Sequence, residues 1–227
     1  MQHLLLLHGA IGAKEQFDTL VQQLEGKFTM HTMNFSGHGG TVMPGSFSIK
    51  GFAKDVADFL AAKNLQSINI FGYSMGGYVA LYLAKEHPQL VDRIFTLATK
   101  FEWTPDIAAK ETRMLDPDKI AEKIPAFANT LEKRHYPNDW KTVMTATAEM
   151  MINMGNENPL PGDFKDIGIP VRISIGDSDA MVTLEETIAV YRQLPNASLM
   201  VFPGTHHPIE KVDVTVLAIA LENFFKL

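Results

Sequence analysis

Ile70-Phe71-Gly72-Tyr73-Ser74-Met75-Gly76-Gly77 is the stretch on which the reading of this chain turns. It has the form G-x-S-x-G. The apolar run Ser67–Phe71 stands before it and the amphipathic run Tyr78–Lys85 after it. The order is therefore strand, sharp turn, helix, with the serine at the turn. Such a turn requires a strained backbone at Ser74. Gly72 and Gly76 lack a Cβ, so strand and helix can approach closely around it. The strain directs the hydroxyl out of the sheet. The start of the following helix brings partial positive charge and free N–H groups to the same place. Three fixed positions recur by chance in about one chain in ten of this length, so the weight rests on the flanking elements and on partners elsewhere.

Working outward, His3–Leu7 is a continuous apolar run, the pattern of a strand buried on both faces, and it ends in His8-Gly9-Ala10. Helical spacing over Lys14–Leu24 places Phe17, Leu20, Val21 and Leu24 on one face. A strand is predicted over Phe28–Asn34, then the loop Phe35-Ser36-Gly37-His38-Gly39-Gly40, then a helix over Ser48–Lys63. Arg93–Ala98 reads as the fourth strand. Alternation then breaks. Residues 100–164 carry no convincing strand, and three helical stretches are predicted: Asp106–Leu115, Asp118–Arg134 and Asp139–Met154, punctuated by Pro105, Pro117, Pro125 and Pro137. Met and aromatic side chains are dense here. They serve as the packed faces of a helical subdomain, as an apolar lid over a pocket, or as both. Val171–Ile175 resumes as a strand, followed by Gly176-Asp177-Ser178-Asp179. Thr183-Leu184-Glu185-Glu186 has the form of a capping box opening a helix to Leu194. Ser198–Phe202 is the last strand, Pro203-Gly204-Thr205-His206-His207-Pro208 its loop, and Ile209–Phe225 the closing helix.

The 227 residues suit one α/β domain with an insertion, or a small domain pair, and a hydrophobic fraction of 46% suffices for a core. A net charge of −6 gives no electrostatic footprint for nucleic acid. The absence of cysteine excludes disulfides, a thiol nucleophile and thiolate metal sites. Leu4–Leu7 is too short for a signal core or a membrane span, so the expectation is a cytoplasmic protein without membrane insertion, a monomer or homodimer.

Strands alternating with helices imply a parallel sheet, with the ligand site beyond the carboxyl ends of the strands. His8-Gly9, Ser36–Gly40, Ser74, Asp177 and Asp179, and His206 and His207 each follow a predicted strand, so they converge on that edge. A serine hydroxyl needs a base to become a nucleophile, and an imidazole oriented by a carboxylate is that base near neutral pH. The chain order is Ser74, then Asp177 or Asp179, then His206 or His207. An adjacent histidine pair without a third ligand at fixed spacing does not make a metal site; no metal and no cofactor are expected.

Taken together these motifs resemble the α/β-hydrolase superfamily over nearly the whole chain. Leu7-His8-Gly9-Ala10 resembles its oxyanion loop, Ser36-Gly37-His38-Gly39 its G-H-G turn, and Gly72–Gly76 its nucleophile elbow. Gly176–Val182 is similar to its acid loop and Pro203–His207 to its histidine loop. The family's first two strands are absent, which implies a trimmed, mostly parallel sheet of six strands with helices on both faces. The resemblance further implies a core of residues 1–99 and 165–227 with a helical cap over 100–164. It implies a Ser74-His207-Asp179 triad, Asp177 serving as a turn residue. The backbone N–H groups of Ala10 and Met75 would form the oxyanion hole. Gly9, Tyr73 and Trp103 are expected to contact a small-molecule substrate. His8 and His38 are expected to shape their loops. His3, His31, His87 and His135 fall in no constellation. The implied activity is that of a serine carboxylesterase. The alternatives are the same triad used for carbon–carbon hydrolysis, lyase chemistry or perhydrolysis, and a non-catalytic ligand-binding homologue.

Overall fold

The computed structural model describes residues 1–160 and 163–226. Its strands are β1 (His3–Leu7), β2 (Thr29–Thr32), β3 (Ile68–Tyr73), β4 (Val91–Leu97), β5 (Val171–Gly176) and β6 (Ala197–Phe202). They form one sheet in the order β2-β1-β3-β4-β5-β6, every pairing parallel. The helices are α1 (Asp18–Gln23), α2 (Ile49–Ala62) and α3 (Met75–Glu86), then α4 (Pro105–Thr112), α5 (Pro117–Lys123), α6 (Pro125–His135) and α7 (Trp140–Asn156) in succession, then α8 (Leu184–Tyr191) and α9 (Val214–Phe225). The six-stranded α/β sheet expected from the sequence is present.

The period-two geometry of a strand divides the core. Leu4, Leu6, Phe71, Tyr73, Phe95 and Leu97 point to one face and pack with α1 and α9. Leu5, Leu7, Ile68, Ile70 and Ile94 point to the other and pack with α2 and α3. Leu4 to Leu7 are all fully buried, and each such side chain contributes about 1.5–3 kcal/mol over its exposed state. This two-sided burial is why β1 reads as a continuous apolar run.

The helices between β4 and β5 carry a smaller cluster of their own, in which Ile120, Ala128, Leu131, Trp140 and Met144 meet. Val143, Met150 and Met154 of α7 instead join the core beneath α2 and α3. Within the expected insertion over residues 100–164, residues 161 and 162 lie outside the described ones. The expected helix over Asp118–Arg134 is two helices. Pro125 opens α6 and Ile124 before it leaves the helical region at φ −136° and ψ 60°, as the residue preceding a proline is driven to do. The closing stretch from Ile209 is also divided. A short 3₁₀ turn covers Ile209–Lys211, and α9 begins after Asp213, whose carboxylate accepts from the N–H groups of Thr215 and Val216. The predicted capping box is formed: Thr183 and Glu186 bond each other's backbone at the start of α8. Among the described residues no helix is long and apolar enough to cross a membrane.

The β3–α3 junction is closely packed. A Cβ on Gly76 would collide with the carbonyl oxygens of Leu7 and His8, and one on Gly72 with the backbone of Gly77. Both obstacles are backbone, so neither can swing aside. Gly76→Ala is therefore expected to destabilise the protein by about 3 kcal/mol or to prevent folding, the upper end of the range for overpacking. Gly45→Ala, which meets nothing within 4 Å, is the neutral control. Urea midpoints of the two variants check this.

Candidate active site

Ser74 stands between β3 and α3 at φ 51° and ψ −119°, a region that costs a non-glycine residue roughly 1–3 kcal/mol. Its N–H donates to the Leu97 carbonyl at 2.8 Å, and its own carbonyl accepts from the Thr99 hydroxyl and the Gly77 N–H, each at 3.0 Å. The elbow is thus locked to β4 as well as to its own helix. Tyr73 is buried. Its hydroxyl donates to the His207 carbonyl at 3.0 Å, which ties the elbow to the loop after β6.

The loops after β5 and β6 are stitched together before either reaches Ser74. The Ser178 N–H donates to the Thr205 carbonyl, and the Asp177 N–H to that of Phe202. Gly176 faces the Thr205 backbone so closely that no Cβ would fit. From this paired platform Asp179 extends inward. One carboxylate oxygen accepts from the Met181 and Val182 N–H groups at 2.8 and 2.9 Å; the other lies 2.8 Å from His207 Nδ1. Burial pushes the Asp179 carboxyl up, but His207 and the two N–H groups outweigh it and hold the group below the ordinary carboxylate range. His207 Nε2 lies 3.4 Å from Ser74 Oγ. The structure thus brings together the three side chains singled out in the sequence.

The neighbouring candidates lie elsewhere. Asp177 is exposed and accepts from the Ser178 hydroxyl. His206 is exposed, its Nδ1 3.1 Å from the Ser178 carbonyl. Gly9 lines neither cleft beside Ser74; it sits behind the elbow, where a Cβ would press on Tyr73 and on Ser74 Cβ. Among the described residues the N–H groups of Ala10 and Met75 find no protein acceptor, which for Met75, first in α3, is usual for a helix N-terminus.

Two clefts adjoin at Ser74, and both are lined by Ala10, Glu111, Met151, Met181 and His207. The first continues between Met150, Met154, Tyr78 and Trp103. The second runs past Tyr73, Phe127, Arg134 and Glu210. Trp103, Glu111, Phe127, Arg134 and the methionines of α7 come from the helical stretch between β4 and β5. Glu111 and its partner Lys100 carried no signal in the sequence, because nothing in their spacing separates them from solvated surface charges.

A cluster of buried histidines supports the loop at Ala10. His8, fully buried, has Nδ1 2.8 Å from the Gly9 carbonyl, while its Nε2 accepts from the Phe35 N–H. His38 stacks on Phe47 and touches both His8 and His135. His135, at the end of α6, accepts from the Gly39 N–H and lies 3.1 Å from the Ile11 carbonyl, which Arg134 also reaches. His8 shapes its loop as expected; His38, expected to be a satisfied structural histidine, has Nδ1 3.2 Å from the Ser36 carbonyl, while its buried Nε2 finds no partner among the described residues. His135, unremarkable in sequence, joins the helical layer to the loop after β1. Burial lowers His8 and His135 to about 4 and pushes His38 well below the histidine range, so all three are neutral at pH 7.

This arrangement of sheet, elbow and loops is that of a hydrolase fold, and the family model for the alpha/beta hydrolase fold matches residues 2–148. The chain belongs to that family. It is 23% identical over 242 residues to 2-(acetamidomethylene)succinate hydrolase of Mesorhizobium japonicum, covering 97% of this chain and 87% of that protein. It is 35% identical over 86 residues to pimeloyl-[acyl-carrier protein] methyl ester esterase of Neisseria meningitidis, a match spanning 38% of this chain and only 32% of that one. Among solved structures, a thermophilic esterase from Thermogutta terrifontis is similar with a TM-score of 0.81 at 21% identity, covering 100% of this chain and 90% of that one. The family and its named relatives are those of hydrolases, esterases among them.

The histidine cluster makes stability depend on pH. The unfolded chain takes up these protons near 6.5, the folded chain at His8 and His135 only near 4. Between those values the unfolded state holds more protons, so stability is complete above about 6.5 and falls as the pH drops through 4. The loss expected from His8 alone by pH 4 is about 3 kcal/mol. Urea midpoints measured from pH 7 to pH 4 check this, and His135→Gln is expected to flatten the slope. A midpoint that holds steady across the range would contradict it.

Proposed function

We propose that this protein is a serine hydrolase that cleaves carboxylic ester bonds of small or medium substrates through an acyl-enzyme. The reading rests on one observation: the continuous chain from Ser74 Oγ through the His207 ring to the Asp179 carboxylate at the junction of two largely apolar clefts. Asp179 beside Nδ1 fixes the tautomer in which Nε2 carries the lone pair. His207 then takes the Ser74 proton as the hydroxyl oxygen attacks the ester carbon. The developing oxyanion accepts from the N–H groups of Ala10 and Met75, an interaction worth roughly 3 kcal/mol per donor in the transition state. His207 returns the proton to the leaving alcohol, and water, activated by the same ring, releases the acid. The separation of 3.4 Å between Ser74 and His207 is of the kind that tightens when substrate arrives.

Helices α4 to α7 act in this reading as a lid. Helix α7 supplies Met150, Met151 and Met154 to the cleft walls and the segment leading into α4 supplies Trp103, and thioethers adapt to varied apolar groups. A second reading keeps the same three residues for a different bond. It is favoured by the relative from Mesorhizobium, whose named substrate, 2-(acetamidomethylene)succinate, is not an ester.

A fluorophosphonate probe is expected to label the protein at Ser74, with no labelling of Ser74→Ala. Asp179→Asn is expected to lower kcat on a p-nitrophenyl ester by about 10⁴-fold. His207→Ala is expected to be as damaging, while His206→Ala stays near wild type. Labelling that survives Ser74→Ala, or a larger effect at His206 than at His207, would overturn the assignment.

A further inference from the structure

One carboxylate beside Ser74 has no part in this chemistry. Glu111, on α4, is only 6% exposed and lines both clefts. Among the described residues no hydrogen bond reaches its carboxylate, and its ion pair with Lys100 is long, at 3.7 Å. Lys100 is better occupied, since it donates to the Met181 carbonyl at 3.1 Å and lies 3.5 Å from Glu186. Glu186 is filled in turn by the N–H groups of Phe101 and Thr183 and by the Thr183 hydroxyl. Of the three, Glu111 alone faces the clefts short of donors. A buried carboxylate in that condition gains strongly from any donor a ligand brings.

The surrounding charge selects the kind of donor. Lys100, which lines the first cleft beside Glu111, serves both Glu111 and Glu186, so one cation there faces two carboxylates, and Arg134 in the second cleft is matched by Glu210. The whole chain carries −6. Within apolar walls such a field repels a substrate carboxylate and draws in a cation. The indole of Trp103 lines the first cleft with Glu111, and an aromatic face is a favourable neighbour for an ammonium group.

We propose that Glu111 is the recognition element for a protonated amine, which narrows the substrate class to esters bearing an ammonium group on the acyl or the alcohol part. The ester in that statement rests on the reading above; the amine site itself needs no turnover. The ammonium donates to the Glu111 carboxylate while Lys100 keeps Glu186 and the Met181 carbonyl, and the ester carbon lies at Ser74.

The test is binding to the full-length Ser74→Ala protein at pH 7.5, measured by calorimetry with hexylammonium, hexan-1-ol and hexanoate. Hexylammonium is expected to bind about 10- to 100-fold more tightly than either of the others, the range for a hydrogen bond to a charged group. Adding Glu111→Gln is expected to abolish that preference and to bring hexanoate level with the amine. Glu111→Asp, which keeps the charge but draws it back, is expected to retain part of the preference and stands in should the glutamine variant not fold. Equal or tighter binding of hexanol or hexanoate, or an amine preference that Glu111 substitutions leave intact, overturns the proposal. Fluorophosphonate labelling of protein with Ser74 intact is read in parallel. Amine preference without labelling retires the esterase reading and keeps the amine site; labelling without amine preference does the reverse.

Discussion

The backbone of Ser74 is the constraint from which the rest of the site follows. A residue with a Cβ is held at φ 51°, which a free chain would relax at once. It stays because β4 takes its N–H, because Thr99 and Gly77 both donate to its carbonyl, and because Gly72 and Gly76 let α3 press against β3 and β1. The cost is roughly 1–3 kcal/mol, small beside the core that imposes it. With the hydroxyl thus fixed, the loops after β5 and β6 have one geometry that meets it. They reach it as a joined pair, through the bonds of Ser178 to Thr205 and of Asp177 to Phe202.

Parallel strands buried on both faces explain why the sheet was readable from the amino-acid order. A run such as Leu4 to Leu7 has no polar face to hide, and each run ends where polar or glycine residues cluster. Asp179 and His207 were legible for a related reason: short loops after adjacent strands keep chemistry close to the chain segments that announce it. Helix ends were less legible. The break at Pro125 and the late start of α9 at Asp213 depend on single residues whose local chemistry outweighs the apolar period around them. Glu111, Lys100 and His135 were not legible at all. The positions of Glu111 and His135 depend on how α4 and α6 pack onto the sheet edge, Lys100 lies in the segment between β4 and α4, and a charged or imidazole side chain there has the same sequence signature whether it faces water or a cleft.

The electrostatics of the site divide into two layers of opposite character. Around Ala10 the supporting groups are imidazoles that burial has stripped of charge, so they hold the loop by hydrogen bonds and ring contacts without adding a field. Arg134 adds a charged donor to them at the Ile11 carbonyl. The cleft walls, by contrast, carry charged groups, Lys100 and Arg134 with Glu111 and Glu210.

The carbonyl of Ile11 receives both Arg134 and His135 from the end of α6. Ile11 follows directly on Ala10 and itself sits at φ 50°. The end of α6 is therefore fastened to the loop after β1, two peptides beyond the one that carries the Ala10 N–H. Lifting α6 from the sheet would break both bonds at once, so the helical layer and the loop that carries Ala10 form one mechanical unit.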